Sequence, residues 1–329
     1  MRIAILGAGA WGTALAINLA LSHQVTLWIR DPNQLRPLVA KRINQRYLPD
    51  FPLPEAVQLT SELDVAAYTA DLVLVTVPIA GLRELLLRIH AMGKALPIIL
   101  GCKGFEAHSS MLPHQVLREV CAMGAPFGIL SGPSFAQEVA QGLPTALTLA
   151  SDDESFTKWV ASEIHTAYLR IYLSGDVIGV ETGGAVKNVI AIATGISDGM
   201  RLGNNARAAL ITRGLAEITR LGVALGGCKE TFMGLAGMGD LILTCTGEMS
   251  RNRRVGMMLA QGQPLPDILQ KIGHVAEGVH TAQEAQQMGR KLKIEMPVTQ
   301  AVFSILYENM SAEAAVKKIL NREPKTEFD

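Results

Sequence analysis

The chain opens with Arg2-Ile-Ala-Ile-Leu6, followed directly by Gly7-Ala-Gly-Ala-Trp-Gly12 and then by an apolar stretch, Thr13–Leu21. The first run is short and apolar, as in a strand, and the last has helical periodicity. Between them the glycines have the spacing G-x-G-x-x-G, in which Gly7 permits a tight turn, Gly9 a close approach to a pyrophosphate and Gly12 close helix–strand packing. The start of the helix offers free N–H groups to phosphate. This stretch predicts a dinucleotide-binding β-α unit.

Apolar runs and helical segments alternate through the first half of the chain. The further predicted strands are Val25–Ile29, Leu72–Val77, Ile98–Leu100, Phe127–Leu130, Thr145–Leu149 and Arg170–Leu173. Helical segments such as Gly81–Met92 and Met111–Met123 lie between them. This alternation predicts an α/β, Rossmann-type doubly wound sheet.

The pattern changes near residue 175, and from Val177 onward only helical periodicity is found. We therefore expect a dinucleotide-binding domain at residues 1–176 and an all-α substrate-binding, catalytic domain at residues 177–329. A chain of 329 residues is long enough for two such domains.

Composition excludes several classes of protein. With 49% hydrophobic and 18% charged residues, the chain is not disordered as a whole. Thirty Lys+Arg balance thirty Asp+Glu, so nothing indicates a nucleic-acid partner. Four widely spaced cysteines indicate reduced thiols, and no cluster has metal-ligand spacing, so we expect no metal. Apolar runs such as Val189–Ile196 are too short to span a membrane, and no secretory signal fits, so we expect a cytoplasmic protein.

The choice of nicotinamide cofactor depends on the end of the second strand. NAD enzymes usually place an acidic residue there for the ribose 2′-hydroxyl. Here Arg30 occupies that position, and a guanidinium can pair with a 2′-phosphate, which favours NADP. A solvated arginine beside a turn is the alternative, and Asp31 keeps NAD open.

Two lysines are candidates for the chemistry. Lys103, in Gly-Cys-Lys-Gly, follows the strand Ile98–Leu100, where α/β sheets place ligand-binding groups. By itself it could equally be a surface lysine in a turn. Lys187, in Gly-Gly-Ala-Val-Lys-Asn, precedes the apolar run Val189–Ala193. It either extends to solvent or is buried with a lowered pKa suited to proton transfer.

A third group of candidates lies further along the chain. Asp240 and Thr244 are four residues apart and would share one helical face. Ser250, Arg251 and Asn252 offer a hydroxyl, a guanidinium and an amide in succession, which together suit a phosphate. A basic run such as this one is also found on ordinary solvated faces.

These motifs resemble those of bacterial NAD(P)-dependent glycerol-3-phosphate dehydrogenases over essentially the whole chain. The matching segments are GAGAWGTALA, GCKGFE, SGPSFAQEVAQGLPTA, GGAVKNVIAIATGISDGMRLGNNARAALITRGLAE, MGDLILTCT and SRNRRVG. The resemblance implies reversible reduction of dihydroxyacetone phosphate to sn-glycerol 3-phosphate with NADP(H) or NAD(H), which supplies phospholipid synthesis. A helical second domain also makes a homodimer the expected assembly.

The same resemblance assigns roles to residues of this chain. Lys187 would be the proton donor and acceptor, Lys103 would polarise the substrate oxygen and Asp240 would orient the lysine. The substrate contacts implied are Lys103, Gly132, Ser134, Lys187, Asp240, Thr244, Ser250, Arg251 and Asn252. The cofactor contacts, with those of the glycine motif, are Gly7, Gly9, Ala10, Trp11, Gly12, Arg30, Lys103, Ala136, Arg251, Val275 and Glu277.

Two alternatives remain from the residues alone. One is a related NADP-dependent two-domain reductase of a β-hydroxyacid or another carboxylate, against which the Ser-Arg-Asn group favours a phosphate. The other is a sensor of NADPH without activity, which would have no need of Lys187 or Asp240.

Overall fold

The first half of the chain forms one large sheet. The computed structural model describes residues 1–121, 124–273, 276–323 and 326. Its strands are β1 (Arg2–Leu6), β2 (Gln24–Trp28), β3 (Ile43–Asn44), β4 (Leu48–Pro52), β5 (Gln58–Thr60), β6 (Leu72–Val75), β7 (Ile98–Leu100), β8 (Phe127–Ser131), β9 (Thr145–Ala150) and β10 (Leu169–Ser174). Eight of these strands lie in the order β10-β9-β8-β7-β6-β1-β2-β5, while β3 and β4 form a separate antiparallel pair.

The order of the strands indicates where a ligand would bind. Within the sheet, the neighbouring strands in the row β8-β7-β6-β1-β2-β5 are all parallel. The chain passes from β1 to β2 on one side of β1 and later returns to β6 on its other side. Ligands of such sheets bind at the carboxyl ends of the strands beside this reversal. The strand β9 is antiparallel to β8, and β10 is parallel to β9.

Helices cover both faces of the sheet, as the continuously apolar strands require. The helices of this half are α1 (Ala10–Leu19), α2 (Pro32–Lys41), α3 (Leu63–Ala67), α4 (Leu82–Ala91), α5 (Pro113–Val120), α6 (Ala136–Gln141) and α7 (Glu154–Ile164). Alternate residues of β1 enter two different cores: Ala4 and Leu6 pack on the side of α4, and Ile3 and Ile5 on the side of α1 and α7. The predicted doubly wound sheet is confirmed.

The second half is helical throughout its described residues. Its helices are α8 (Val177–Gly199), α9 (Gly203–Ala224), α10 (Asp240–Thr246), α11 (Arg251–Ala260), α12 (Leu265–Ile272), α13 (Glu277–Leu292), α14 (Pro297–Tyr307) and α15 (Ala312–Leu320). The expectation of an all-α second part is confirmed. The division at residue 176 stays a prediction; β10 ends at Ser174 and α8 begins at Val177.

Helix α8 is the central helix of the second half, and it is longer than the apolar runs in the sequence suggest. Over the described residues it alone is long and apolar enough to cross a membrane, yet 94% of its most apolar stretch is buried within the protein. Its first turn also belongs to the core of the sheet, because Val177 and Val180 pack in one cluster with strand residues such as Val73 and Val75.

Several elements do not appear among the sequence predictions. These are the β3–β4 pair, the short strand β5, and the helices α2, α3, α6, α7 and α12. Ahead of α10 the backbone makes one π-helical turn, Leu235–Gly239. Most are short, so they give little periodic signal in the sequence.

Candidate active site

The glycine motif forms the turn between β1 and α1 that it predicts. Gly7 has a φ of +123°, in the region that favours glycine, and a Cβ on Gly12 would overlap the Gly7 carbonyl oxygen. In contrast, a Cβ on Gly9 would have no atom within 4 Å. The N-terminus of α1 has no side-chain cap. Open space beside Gly9 and uncapped N–H groups fit the pyrophosphate of a dinucleotide.

Three other predicted cofactor residues lie close to this turn. Trp11 packs its indole so tightly against Gly101, at the end of β7, that a Cβ there would overlap the ring. The indole Nε1 of Trp11 is buried without a hydrogen-bond partner. Ala136 is the first residue of α6, which packs against α1, and Ala10 begins α1. These three residues therefore lie around α1 and the glycine turn, as the cofactor role predicted for them requires.

Arg30 and Asp31, which follow β2, have different surroundings. Arg30 is exposed just beyond the strand. Asp31 is the N-cap of α2, and its Oδ1 accepts a hydrogen bond of 2.9 Å from the backbone N–H of Asn33. Because this carboxylate already caps a helix, the guanidinium is the better placed of the two groups to meet a ribose substituent.

The two predicted lysines meet on a single carboxylate. Lys187 donates to Oδ1 of Asp240, and Lys103 donates to Oδ2 of Asp240 at 2.6 Å. Asp240 is 1% exposed and Lys187 is 7% exposed. The sequence left open whether either lysine was a surface residue; the structure places both in this buried cluster.

Each member of the cluster comes from a different element. Lys103 lies in the loop after β7, Lys187 in the middle of α8, and Asp240 at the start of α10. Lys103 crosses α8 at Gly184, where a Cβ would lie 3.6 Å from its Cδ. The motif Gly-Gly-Ala-Val-Lys-Asn thus provides both a lysine and a small residue beneath the other lysine.

The electrostatics of the cluster suit proton transfer. Burial lowers the pKa of Lys187 to about 8, since desolvation and the nearby Lys103 ammonium outweigh the charge of Asp240, which acts to raise it. For Asp240, burial alone would raise the pKa of the carboxyl, but the two ammonium groups outweigh it and the pKa is lowered. The buried carboxylate is therefore charged at neutral pH. A lysine with a pKa near 8 can both give and take a proton there.

The predicted Ser-Gly-Pro-Ser loop lies beside this cluster. Gly132 has a φ of +134°, and Ser134 Oγ donates to the Gly132 carbonyl at 3.2 Å. Pro133 lies next to Gly239, the residue before Asp240: a Cβ on Gly239 would lie 3.6 Å from the proline ring. Thr244 shares the face of α10 with Asp240 as predicted, and its hydroxyl donates to the Asp240 carbonyl at 2.6 Å.

The Ser-Arg-Asn group starts α11. Ser250 is the N-cap, accepting from the N–H of Arg253 at 3.3 Å. Asn252 is 8% exposed, and its Oδ1 accepts from the N–H of Gly278 at 3.1 Å, which leaves its amide N–H groups to a ligand. Arg251 is exposed.

Glu277, the first residue of α13, links this group to the lysines. Its pKa is raised by burial, and the positive charges of Arg251, Lys103 and Lys187 act against that rise. Its Oε2 also accepts from Asn188, the neighbour of Lys187, at 3.3 Å. The other predicted residue of this segment, Val275, lies outside the described residues.

Two residues near the site were not singled out from the sequence. Ser131, at the end of β8, has a buried hydroxyl without a partner, 2.9 Å from where a Cβ of Gly184 would lie. Asp198, near the end of α8, pairs with both Arg207 and Arg253. A separate partner for Arg253 could have been expected from the sequence. Residues two apart on a helix point to opposite sides, so Arg253 cannot face the same ligand as Arg251.

Comparison with known proteins agrees with this geometry. The family model described as NAD-dependent glycerol-3-phosphate dehydrogenase N-terminus matches residues 2–157, and the corresponding C-terminus model matches residues 176–317. The chain is 64% identical over 329 residues to glycerol-3-phosphate dehydrogenase [NAD(P)+] of Nitrosomonas eutropha, covering 100% of both chains. It is 54% identical over 328 residues to the protein of that name from Dechloromonas aromatica, again covering 100% of both.

Solved structures give the same result. The glycerol-3-phosphate dehydrogenase of Coxiella burnetii is 43% identical with a TM-score of 0.94, over 98% of this chain and 99% of that one. A ketopantoate reductase from Ralstonia eutropha, at 18% identity and a TM-score of 0.61 over 96% of this chain and 100% of that one, shares the fold alone. The resemblance read from the motifs is confirmed, and the chain belongs to the NAD-dependent glycerol-3-phosphate dehydrogenase family of oxidoreductases.

Proposed function

We propose that this protein interconverts dihydroxyacetone phosphate and sn-glycerol 3-phosphate with NAD(P)(H), and so supplies glycerol phosphate for phospholipid synthesis. The observation that carries the proposal is the buried Lys103–Asp240–Lys187 cluster at the carboxyl edge of the sheet. It lies in the same molecule as a glycine turn suited to a dinucleotide and a Ser-Arg-Asn group suited to a phosphate. Full-length relatives that carry this enzyme's name support it.

The reaction reduces a ketone to an alcohol, and the bound cofactor supplies the hydride. As hydride reaches the carbonyl carbon, negative charge builds on the carbonyl oxygen, where an ammonium group stabilises it. Lys187 donates its proton to that oxygen, and in the reverse direction the neutral amine takes the alcohol proton. General acid assistance of this kind is typically worth about 10²–10⁴ in rate.

The other two members of the cluster hold and tune the proton donor. Asp240 fixes the Nζ of Lys187 through its Oδ1, while its Oδ2 holds Lys103 at 2.6 Å. Lys103 polarises the same substrate oxygen, and its positive charge keeps the pKa of Lys187 low.

The remote end of the substrate is fixed by the start of α11. Ser250, Arg251 and Asn252 bind the phosphate, with Gly132, Ser134 and Thr244 lining the space between it and the lysines. A phosphate contact holds a three-carbon substrate in one orientation against the cofactor, and orientation lowers the barrier further.

Cofactor contacts follow from the same placement. The glycine turn, Trp11 and Ala136 would hold the pyrophosphate side of the dinucleotide, and Arg30 would meet the 2′-phosphate of NADP. Glu277 and Arg251 would contribute to the cofactor site, and Arg251 would also contact the substrate phosphate. We further infer a homodimer in the cytoplasm.

The test compares three substrates with the purified protein. NADPH oxidation is followed with dihydroxyacetone phosphate, unphosphorylated dihydroxyacetone and a β-keto acid. Turnover that requires the phosphorylated ketone supports the proposal. Turnover with the keto acid would instead favour a carboxylate reductase, and binding of NADPH without any turnover would favour a sensor.

A further inference from the structure

Helix α8 carries a buried lysine and a largely buried aspartate on nearly the same face. Lys187 and Asp198 are eleven residues apart, close to three full turns, so they project from nearly the same side of the helix at a separation of about 16 Å along its axis. Lys187 belongs to the reacting end of the site. Asp198 has no place in the chemistry described above.

Asp198 is held by two arginines from two other helices. Arg253 of α11 donates from Nε to Oδ2 of Asp198 at 2.7 Å, and Arg207 of α9 donates from Nε to Oδ1 at 2.7 Å. The carboxylate side chain is 7% exposed and that of Arg253 is 13% exposed. Charge-assisted contacts with this burial and geometry are strong and directional.

The backbones of α8 and α11 also meet directly beside this ion pair. A Cβ on Gly195 of α8 would overlap the carbonyl of Arg253, and a Cβ on Gly256 of α11 would overlap the carbonyl of Ile192. Helix α11 is therefore fixed against α8 both along and across its axis.

The start of α11 is the segment that presents Arg251 and Asn252. Arg253 points back to Asp198, and Arg251, two residues earlier on the helix, points the other way. We propose that Asp198 is a positioning residue: through Arg253 it sets the phosphate-binding start of α11 at a fixed distance from Lys187, and so makes the enzyme selective for a phosphorylated three-carbon ketone. This inference rests on the proposed function.

The experiment measures substrate discrimination rather than activity alone. For wild type and Asp198→Asn, kcat/KM is determined at saturating NADPH with dihydroxyacetone phosphate and with dihydroxyacetone. We expect Asp198→Asn to raise KM for the phosphorylated substrate about tenfold or more, because small displacements of a binding group cost that much. We expect kcat/KM for dihydroxyacetone to stay within about twofold, because that substrate does not use the phosphate contact.

Glu217→Gln is the matched control. Glu217 is a fully buried carboxylate on α9 that accepts from Val298 and Thr299 at the start of α14. Its loss disturbs the packing of a different helix, so it should lower the melting temperature without changing the ratio of the two substrates. Asp198→Glu keeps the charge and should recover part of the discrimination.

Arg253→Lys tests the same contact from the other side and replaces Asp198→Asn if that variant fails to fold. The proposal is overturned if wild type prefers dihydroxyacetone phosphate but the variants slow both substrates equally, or change neither. If wild type itself shows no preference for the phosphorylated ketone, the proposed function fails first.

Discussion

Lys187 and Asp240 are 53 residues apart in the chain, yet the Lys187 ammonium donates directly to the Asp240 carboxylate in the protein interior. A buried ammonium without this partner would lose its proton more readily, and a buried carboxylate without a cation would gain one. In the proposed mechanism, this contact keeps a proton where a developing alkoxide needs it.

Removal of the proton donor is the most direct test of this arrangement. Lys187→Met keeps the length and apolar stem of the side chain but removes the ammonium. We expect kcat for dihydroxyacetone phosphate to fall by about 10²–10⁴. NADPH affinity, measured by fluorescence titration, should stay near the wild-type value. A variant that retains near-normal kcat would contradict the role given to Lys187.

The pH profile should reflect the lowered pKa of Lys187. Reduction needs the protonated amine, so kcat/KM should be level at low pH and fall as pH rises through about 8. Oxidation of glycerol 3-phosphate needs the neutral amine, so it should rise through the same range. Both profiles are measured in buffers of constant ionic strength, and identical profiles in the two directions would contradict the assignment.

The descending limb of the reduction profile, where kcat/KM falls with rising pH, should move in opposite directions in two variants. Asp240→Asn removes the charge that raises the pKa of Lys187, so the limb should move to lower pH. Lys103→Met removes a charge that lowers it, so the limb should move to higher pH. Both variants will be slower, but the readout is the position of the limb. A shift of the same sign in both would rule out the electrostatic coupling described here.

Arg251 should account for much of the phosphate affinity. Arg251→Ala removes a charge-assisted contact worth about 1.5–3 kcal/mol, so KM for dihydroxyacetone phosphate should rise about tenfold or more. Arg254→Ala, an exposed arginine three residues along the same helix, is the matched control and should leave KM unchanged. Equal effects of the two would mean that only the general positive field matters.

Arg30 should distinguish the two nicotinamide cofactors. Arg30→Ala is expected to raise KM for NADPH several-fold more than KM for NADH, because only NADPH carries the 2′-phosphate. Lys41→Ala, an exposed cation at the far end of α2, is the control. An equal loss with both cofactors would refute this reading.

The sequence was most informative where the signal was continuous and local. The glycine turn after β1 and the apolar runs of β6 and β7 could be predicted because fully buried parallel strands are apolar at every position. Lys103, Lys187 and Asp240 were found from motifs, but their meeting point depends on three separate elements and cannot be seen in the order of residues alone.

Contacts between separate helices could not be predicted from the sequence. Asp198 and Arg253 are 55 residues apart, and each could be an ordinary solvated charge. From the sequence, Asp31 could have been a ribose ligand. Its role as the N-cap of α2 depends on where that helix begins, which the sequence did not predict. The π-helical turn Leu235–Gly239 interrupts the 3.6-residue periodicity, so the sequence predicted the shared helical face of Asp240 and Thr244 but not where α10 begins.

The burial of Val177 and Val180 in the core of the sheet bears on how the chain folds. The first turn of α8 fills one face of the sheet, and Ala236, just ahead of α10, lies in the same cluster. Either half made alone would expose this apolar seam to water. We therefore expect the whole chain to melt in one cooperative transition, and Lys187 to gain its lowered pKa only when both halves have folded together.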